Sequence, residues 1–168
     1  MKIFITGRPG VGKSTLFKEI VEELKERGFK ICGFITPEVR ERGKRIGFKC
    51  IDLNSSKEIW LAKVGNFGNG IKFGRYTVFV KDFEDFLDFV FKNWKKYEWI
   101  AIDEIGKMEF FSGKFRNFVS EIMNSDKNVI AVIHRNFADR FKYGEIFWLT
   151  RENYKEIRKK IEELIDKN

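Results

Sequence analysis

Eight residues near the start of the chain, Gly7-Arg8-Pro9-Gly10-Val11-Gly12-Lys13-Ser14, follow a segment that reads as a buried strand, Lys2 to Thr6 with the apolar run Ile3 to Ile5, and lead into an amphipathic helical pattern that opens at Lys13. That arrangement restricts the fold more than any other feature. The chain must leave a buried strand, curl through backbone conformations that glycine adopts most freely, and enter a helix at once. Leu16, Phe17, Ile20, Val21 and Leu24 recur at helical spacing over Lys13 to Arg27, and Gly28 is placed to end the helix.

The same residues fit G-x-x-x-x-G-K-[ST] at every fixed position, in the strand, loop and helix context that confirms the pattern. Glycines let successive N–H groups point inward, and the helix N-terminus adds positive potential. Lys13 then reaches the β and γ phosphates while the Ser14 hydroxyl ligates Mg2+. The expected nucleotide-binding residues are Gly7, Arg8, Pro9, Gly10, Val11, Gly12, Lys13, Ser14 and Thr15, the ligand is a nucleoside triphosphate, and Mg2+ is the cofactor.

A magnesium nucleotide requires a second acidic anchor, and "WIAIDEIG" supplies one at the end of a buried strand. Asp103 is placed to hold the metal. Glu104, beside it at the C-terminal edge of a parallel sheet, is placed to take a proton from an attacking water. Two carboxylates here point to hydrolysis. The letters D-x-x-G also match a GTPase switch, but no N-K-x-D occurs to read guanine. "AVIHR" ends a further apolar strand in His134 and Arg135, which emerge beside the γ-phosphate if this strand lies between the other two. Arg8, Arg40, Arg45, Lys107 and Arg116 are other cations available to transition-state charge.

The remaining sequence alternates strands and helices. "WIAID", "NVIAVIH" and "EIFWLT" read as buried strands, and helical spacing recurs from Phe83 to Trp94, from Phe115 to Met123 and from Tyr154 to Ile165. Between them "ICGFITPEVRE" and "RIGFKCIDL" read as two extended arms around a polar turn, continued by "KEIWLAKV" and "GRYTVFV". The expected architecture is α/β, a mainly parallel sheet with helices on both faces and an antiparallel strand insertion. At 168 residues, 43% hydrophobic and 35% charged, the whole span 1–168 is expected to form a single domain.

The net charge of +8 is spread over helical faces, which argues against a dedicated nucleic-acid track. Cys32 and Cys50 match neither a metal-ligand spacing nor a redox pair, so buried reduced thiols are expected. "IFIT" is too short for a signal-peptide core, and no run reaches the roughly 18 apolar residues of a membrane helix. The expected location is cytoplasmic, with no membrane partner.

The segments "ITGRPGVGKSTL", "GFITPEVRERGKRIGF", "GRYTVFV", "IAIDEIGKMEFFSGKFR" and "LTRENY" carry a resemblance that runs nearly end to end. In that order they resemble the small nucleoside-triphosphatase family named from thermophilic members, which includes the vertebrate cancer-related nucleoside-triphosphatase. The resemblance implies a P-loop NTPase of RecA-like variant fold. It implies Mg2+-dependent hydrolysis of ATP, GTP and other triphosphates to diphosphate and phosphate, with broad base specificity. Lys13, Ser14, Asp103 and Glu104 would carry the active site. "LTRENY" follows the last strand, where related folds pass a loop near the base, so Thr150 and Asn153 are candidate base contacts; the chain departs from the family at Tyr154, where arginine is common.

Two other functions would use the same loop. A nucleoside or nucleotide kinase needs an acceptor pocket and often an arginine-rich lid, which "VRERGKR" imitates. A nucleic-acid-stimulated ATPase fits the basic balance and the RecA-like resemblance.

Overall fold

Alternation along β1 (Lys2–Gly7) organises the core: Ile3 and Ile5 pack with one set of helices and Phe4 with the other. The computed structural model describes residues 1–167. Ten strands among them form one sheet in the order β10 (Glu145–Leu149), β1, β9 (Asn128–Ile133), β8 (Trp99–Ile105), β2 (Ile31–Ile35), β4 (Lys44–Asp52), β5 (Glu58–Val64), β7 (Tyr76–Val78) and β6 (Ile71–Phe73), with β3 (Glu38–Glu41) paired to β4. From the β10 edge inward, the five strands β10, β1, β9, β8 and β2 are parallel. From β2 onward β4, β5, β7 and β6 continue the sheet antiparallel, and β3 folds back on β4.

Helices α1 (Lys13–Glu26) and α4 (Tyr154–Asp166) cover one face with Leu16, Phe17, Ile20, Ile157 and Ile161. The opposite face takes α2 (Val80–Val90) and α3 (Gly113–Met123). There Phe34 of β2, fully buried, meets Phe83, Phe86, Phe91 and Phe115 edge-on at ring separations of 5.9 to 6.2 Å. The phenylalanine-rich helical faces are thus core packing, each ring contributing about 1.5–3 kcal/mol through burial.

The chain after β1 turns into α1 on one face, whereas the chain after β8 turns toward α3 on the other. Divergent connections leave a crevice at the C-terminal ends of the parallel strands, where ligands bind such sheets. The order β1-β9-β8 puts three strand ends side by side at that crevice.

Three local readings differ from the sequence expectation. "ICGFITPEVRE" is two strands rather than one arm, because β2 joins the parallel set and the chain breaks at Thr36-Pro37 before β3, where proline has no N–H to give a ladder. Helix α2 begins inside "GRYTVFV", at Val80. The helical spacing that runs on to Trp94 ends as α-helix at Val90, and Trp94–Lys96 form a short 3-10 turn. Among the described residues no helix is long and apolar enough to cross a membrane. Cys32 and Cys50 are free and buried.

Candidate active site

The loop after β1 is held by its glycines at two decisive points. Gly7 has φ of 147°, and a Cβ there would lie 2.6 Å from the Leu149 carbonyl oxygen of β10. Gly12, at φ of 104°, caps α1, whose first turn holds no acidic side chain to offset its positive end. Lys13 Nζ donates to the Gly7 carbonyl at 2.8 Å, so the ammonium lies across the mouth of the loop. Burial depresses its pKa while Glu104 and Asp103 pull it back up.

Asp103 and Glu104 end β8 within reach of this loop. The ladder to β9 breaks register between Asp103 and Ile105, and both carboxylates reach the same cavity wall. Asp103 is 5% exposed; burial pushes its pKa up to about 6, with the neighbouring Ser14 hydroxyl opposing the rise. Burial also raises the Glu104 pKa, with Lys13 opposing. A hydroxyl and a carboxylate lining one cavity beside a phosphate loop are the hard oxygen donors of a divalent cation shared with a phosphate. The two residues therefore fit such an ion.

From β9, which does lie between β1 and β8, His134 and Arg135 reach the same cavity. The Asn136 N–H donates to His134 Nδ1 at 3.2 Å, so the neutral ring carries its proton on Nε2. Burial and the charges of Lys13, Lys107 and Arg135 hold the imidazole pKa below its usual range. One cavity of about 740 Å³ thus collects Lys13, Ser14, Asp103, Glu104, His134 and Arg135.

A family model described as NTPase matches residues 2–162. The chain is 46% identical over 169 residues to the nucleoside-triphosphatase THEP1 of Methanocaldococcus jannaschii, covering 99% of this chain and 96% of that protein. The chain belongs to this NTPase family. The crystal structure of THEP1 from Aquifex aeolicus superposes with a TM-score of 0.81 at 36% identity, covering 96% of each chain. The solution structure of a human cancer-related nucleoside triphosphatase gives 0.80 at 30%, covering 99% of this chain and 98% of that one. The fold is therefore the P-loop NTPase fold that the family resemblance implies.

Not every expected residue of this NTPase sits in the cavity. Gly7, Pro9, Lys13 and Ser14 line it, whereas Arg8, Gly10, Val11, Gly12 and Thr15 stand off its wall. Arg45 and Lys107 line it too, but Arg40 pairs with Glu38 at 2.6 Å and Arg116 binds the Phe110 carbonyl. Asn153 is consumed by its own loop: its Oδ1 accepts from the Thr150 N–H at 2.7 Å and its Nδ2 donates to the Trp148 carbonyl at 2.9 Å. Thr150 Oγ1 in turn accepts from the Asn153 N–H at 3.1 Å. Tyr154 packs beside Gly12 and donates to Glu19 at 2.5 Å, and Arg151 reaches the Gly10 carbonyl at 3.4 Å.

Sequence reasoning missed the rest of the cavity wall. Phe48, Phe73, Tyr76 and Arg75 come from the antiparallel strands and their turn, and Glu109 comes from a 3-10 turn after β8. Glu109 lies within a motif quoted for the resemblance, "DEIGKMEFF", but a carboxylate in an aromatic run gives no warning that it is 3% exposed.

Proposed function

We propose that the chain hydrolyses nucleoside triphosphates to diphosphate and phosphate in a Mg2+-dependent reaction, in the cytoplasm, with little preference among bases. The observation that carries this reading is the convergence of Lys13, Asp103, Glu104 and Arg135 at three adjacent strand ends.

The phosphates take the inward N–H groups of the loop, and Lys13 exchanges the Gly7 carbonyl for β and γ oxygens. Ser14 and Asp103 would hold Mg2+, which would supply positive charge to offset that of the phosphates. Glu104 accepts the proton of the attacking water; its burial makes it a stronger base than an exposed carboxylate. Arg135 and the Nε2–H of His134 offer a cation and a donor on the adjoining wall, where charge spreads over the γ-phosphoryl oxygens.

Broad base use follows from the far side of the loop. Thr150 and Asn153 spend their hydrogen-bonding groups on each other's backbone and on Trp148. The Arg151 guanidinium and the Tyr154 ring remain beside Gly10 and Gly12, flat surfaces that do not tell one base from another.

Phosphate release measured with ATP, GTP, CTP and UTP, with and without Mg2+ and with and without single-stranded DNA or RNA, tests the proposal. Release from all four, abolished by removing Mg2+ and unchanged by nucleic acid, is expected. A preference beyond roughly a thousandfold for one base, about 4 kcal/mol, overturns the broad specificity.

A further inference from the structure

The cavity does not end at the phosphate loop. Past Glu104 it continues under the antiparallel strands, where Phe48 of β4, Leu61 of β5, and Phe73 and Tyr76 of the β6–β7 hairpin form an apolar wall. Glu109, almost fully buried, also lines it, and its Oε2 accepts from the Gly106 N–H at 3.1 Å. Arg75 stands at the mouth. Its guanidinium stacks 5.2 Å over the Tyr76 ring and donates to the Tyr76 hydroxyl at 3.2 Å, and among the described residues it makes no ion pair with a carboxylate. Arg45, by contrast, is tied to Glu38 at 2.7 Å.

The direction of a bound triphosphate leaves this lobe free. Lys13 and Ser14, which serve its β and γ phosphates, are on the cavity wall, while Gly10 and Gly12 are off it against Arg151 and Tyr154. The γ-phosphate therefore enters the cavity, and the base leaves toward the Thr150–Tyr154 loop. At about 740 Å³ the cavity has room for a second small molecule beyond the phosphates.

We propose that the aromatic lobe is an acceptor site for a flat heteroaromatic alcohol, whose hydroxyl receives the γ-phosphoryl group in place of water. The inference rests on the hydrolase reading of the same loop. Rings Phe48, Phe73 and Tyr76 suit a planar heterocycle, and Arg75 suits an anionic substituent at its outer end. Glu104 is within electrostatic reach of Lys13 and shares the surroundings of Gly106 with Glu109, which selects the nucleophile: a neutral hydroxyl gives Glu104 a proton to accept, whereas a phosphate monoester would press a second anion on Asp103 and Glu104. In the transfer the hydroxyl oxygen bonds to the γ-phosphorus and the bond to the β–γ bridging oxygen breaks. The nucleoside diphosphate leaves with that electron pair, and the hydroxyl proton passes to Glu104. Burial, with the Glu104 carboxylate adding to it, pushes the Glu109 pKa up to about 8, which favours the protonated carboxyl as a donor to a ring heteroatom.

The test uses γ-labelled ATP, Mg2+ and the wild-type chain, with adenosine, guanosine, cytidine, uridine, thymidine or pyridoxine as the added alcohol. Labelled organic phosphate, formed with at least one of them faster than inorganic phosphate, is expected. Phe48→Ala and the exposed-site variant Arg75→Ala should each lower the ratio of organic to inorganic phosphate at least tenfold. Phosphate release without added alcohol reports on hydrolysis alone, so its absence sinks the hydrolase reading whatever the transfer result. Intact release with no organic phosphate from any alcohol overturns the acceptor site. A tenfold rise in KM for ATP in Phe48→Ala without any alcohol also overturns it, because the lobe would then hold the nucleotide base.

Discussion

The parallel and antiparallel halves of the sheet supply the cavity with opposite chemistry. The C-terminal ends of β1, β9 and β8 and the segments that follow them bring charge, at Lys13, Arg135 and the Asp103-Glu104 pair, while β4, β5 and the β6–β7 hairpin bring mainly rings and an aliphatic side chain, with Arg45 and Arg75 among them. The difference follows from strand direction. Parallel neighbours bring all their C-terminal loops to one edge, so short polar motifs that are distant in sequence meet there. Antiparallel neighbours reverse direction at each step, and what they offer a cavity is a face. On the proposed reading, phosphate chemistry belongs to the first half and shape to the second.

The largest expected effect breaks the charged half alone. Lys13→Ala removes the cation proposed to meet the phosphates in the ground and transition states, so kcat/KM for phosphate release should fall about 10³-fold, roughly 4 kcal/mol, with nucleotide affinity also reduced. Its unfolding curve should match that of wild type. Unchanged turnover in the folded variant would remove the parallel half from the chemistry.

Next comes the seam between the halves. Phe34 lies on β2, the last parallel strand, and packs against α2 and α3 residues; truncating it to alanine should cost about 3–5 kcal/mol. Denaturant unfolding of Phe34→Ala should remain a single transition at lower midpoint. Two separated transitions would mean that the antiparallel strands fold independently of the parallel core.

The smallest effect concerns the buried carboxyl in the 3-10 turn after β8, where the parallel half meets the aromatic wall. Glu109 faces Glu104 and Asp103 from β8 and Cys50 from β4, and burial pushes its pKa from 4.5 to about 8. The folded chain keeps a proton there that the unfolded chain has released, so stability falls as pH rises from 4.5 to about 8. Glu109→Gln removes that dependence. Between pH 5 and pH 8 its thermal midpoint should drop less than that of wild type by at least about 3 °C, equivalent to roughly 1 kcal/mol; parallel midpoint curves would show that Glu109 ionises freely in the fold.

The same contrast decides what the sequence revealed. The loop at Gly7–Ser14, the carboxylates of "WIAIDEIG" and the His134-Arg135 pair are local strings whose chemistry is set by their neighbours in sequence, and each reaches the cavity at least in part. The aromatic wall depends on register. β4 shifts register against β5 between Phe48 and Lys49, and β3 against β4 between Val39 and Arg40, so simple alternation does not reveal which side chains face inward. Asn153 was legible as a polar residue in the right loop, yet its hydrogen bonds close that loop rather than aim outward.

Glu104→Gln tests most directly whether the carboxylates that end the parallel half turn nucleotide over or only help to hold it. Mg2+-nucleotide affinity and single-turnover phosphate release should be measured on the same preparation. Affinity within about threefold of wild type, with release slowed about 10² to 10⁴-fold, roughly 3 to 5 kcal/mol of barrier, is the expected result. Release at the wild-type rate would contradict the assignment of Glu104 as the base.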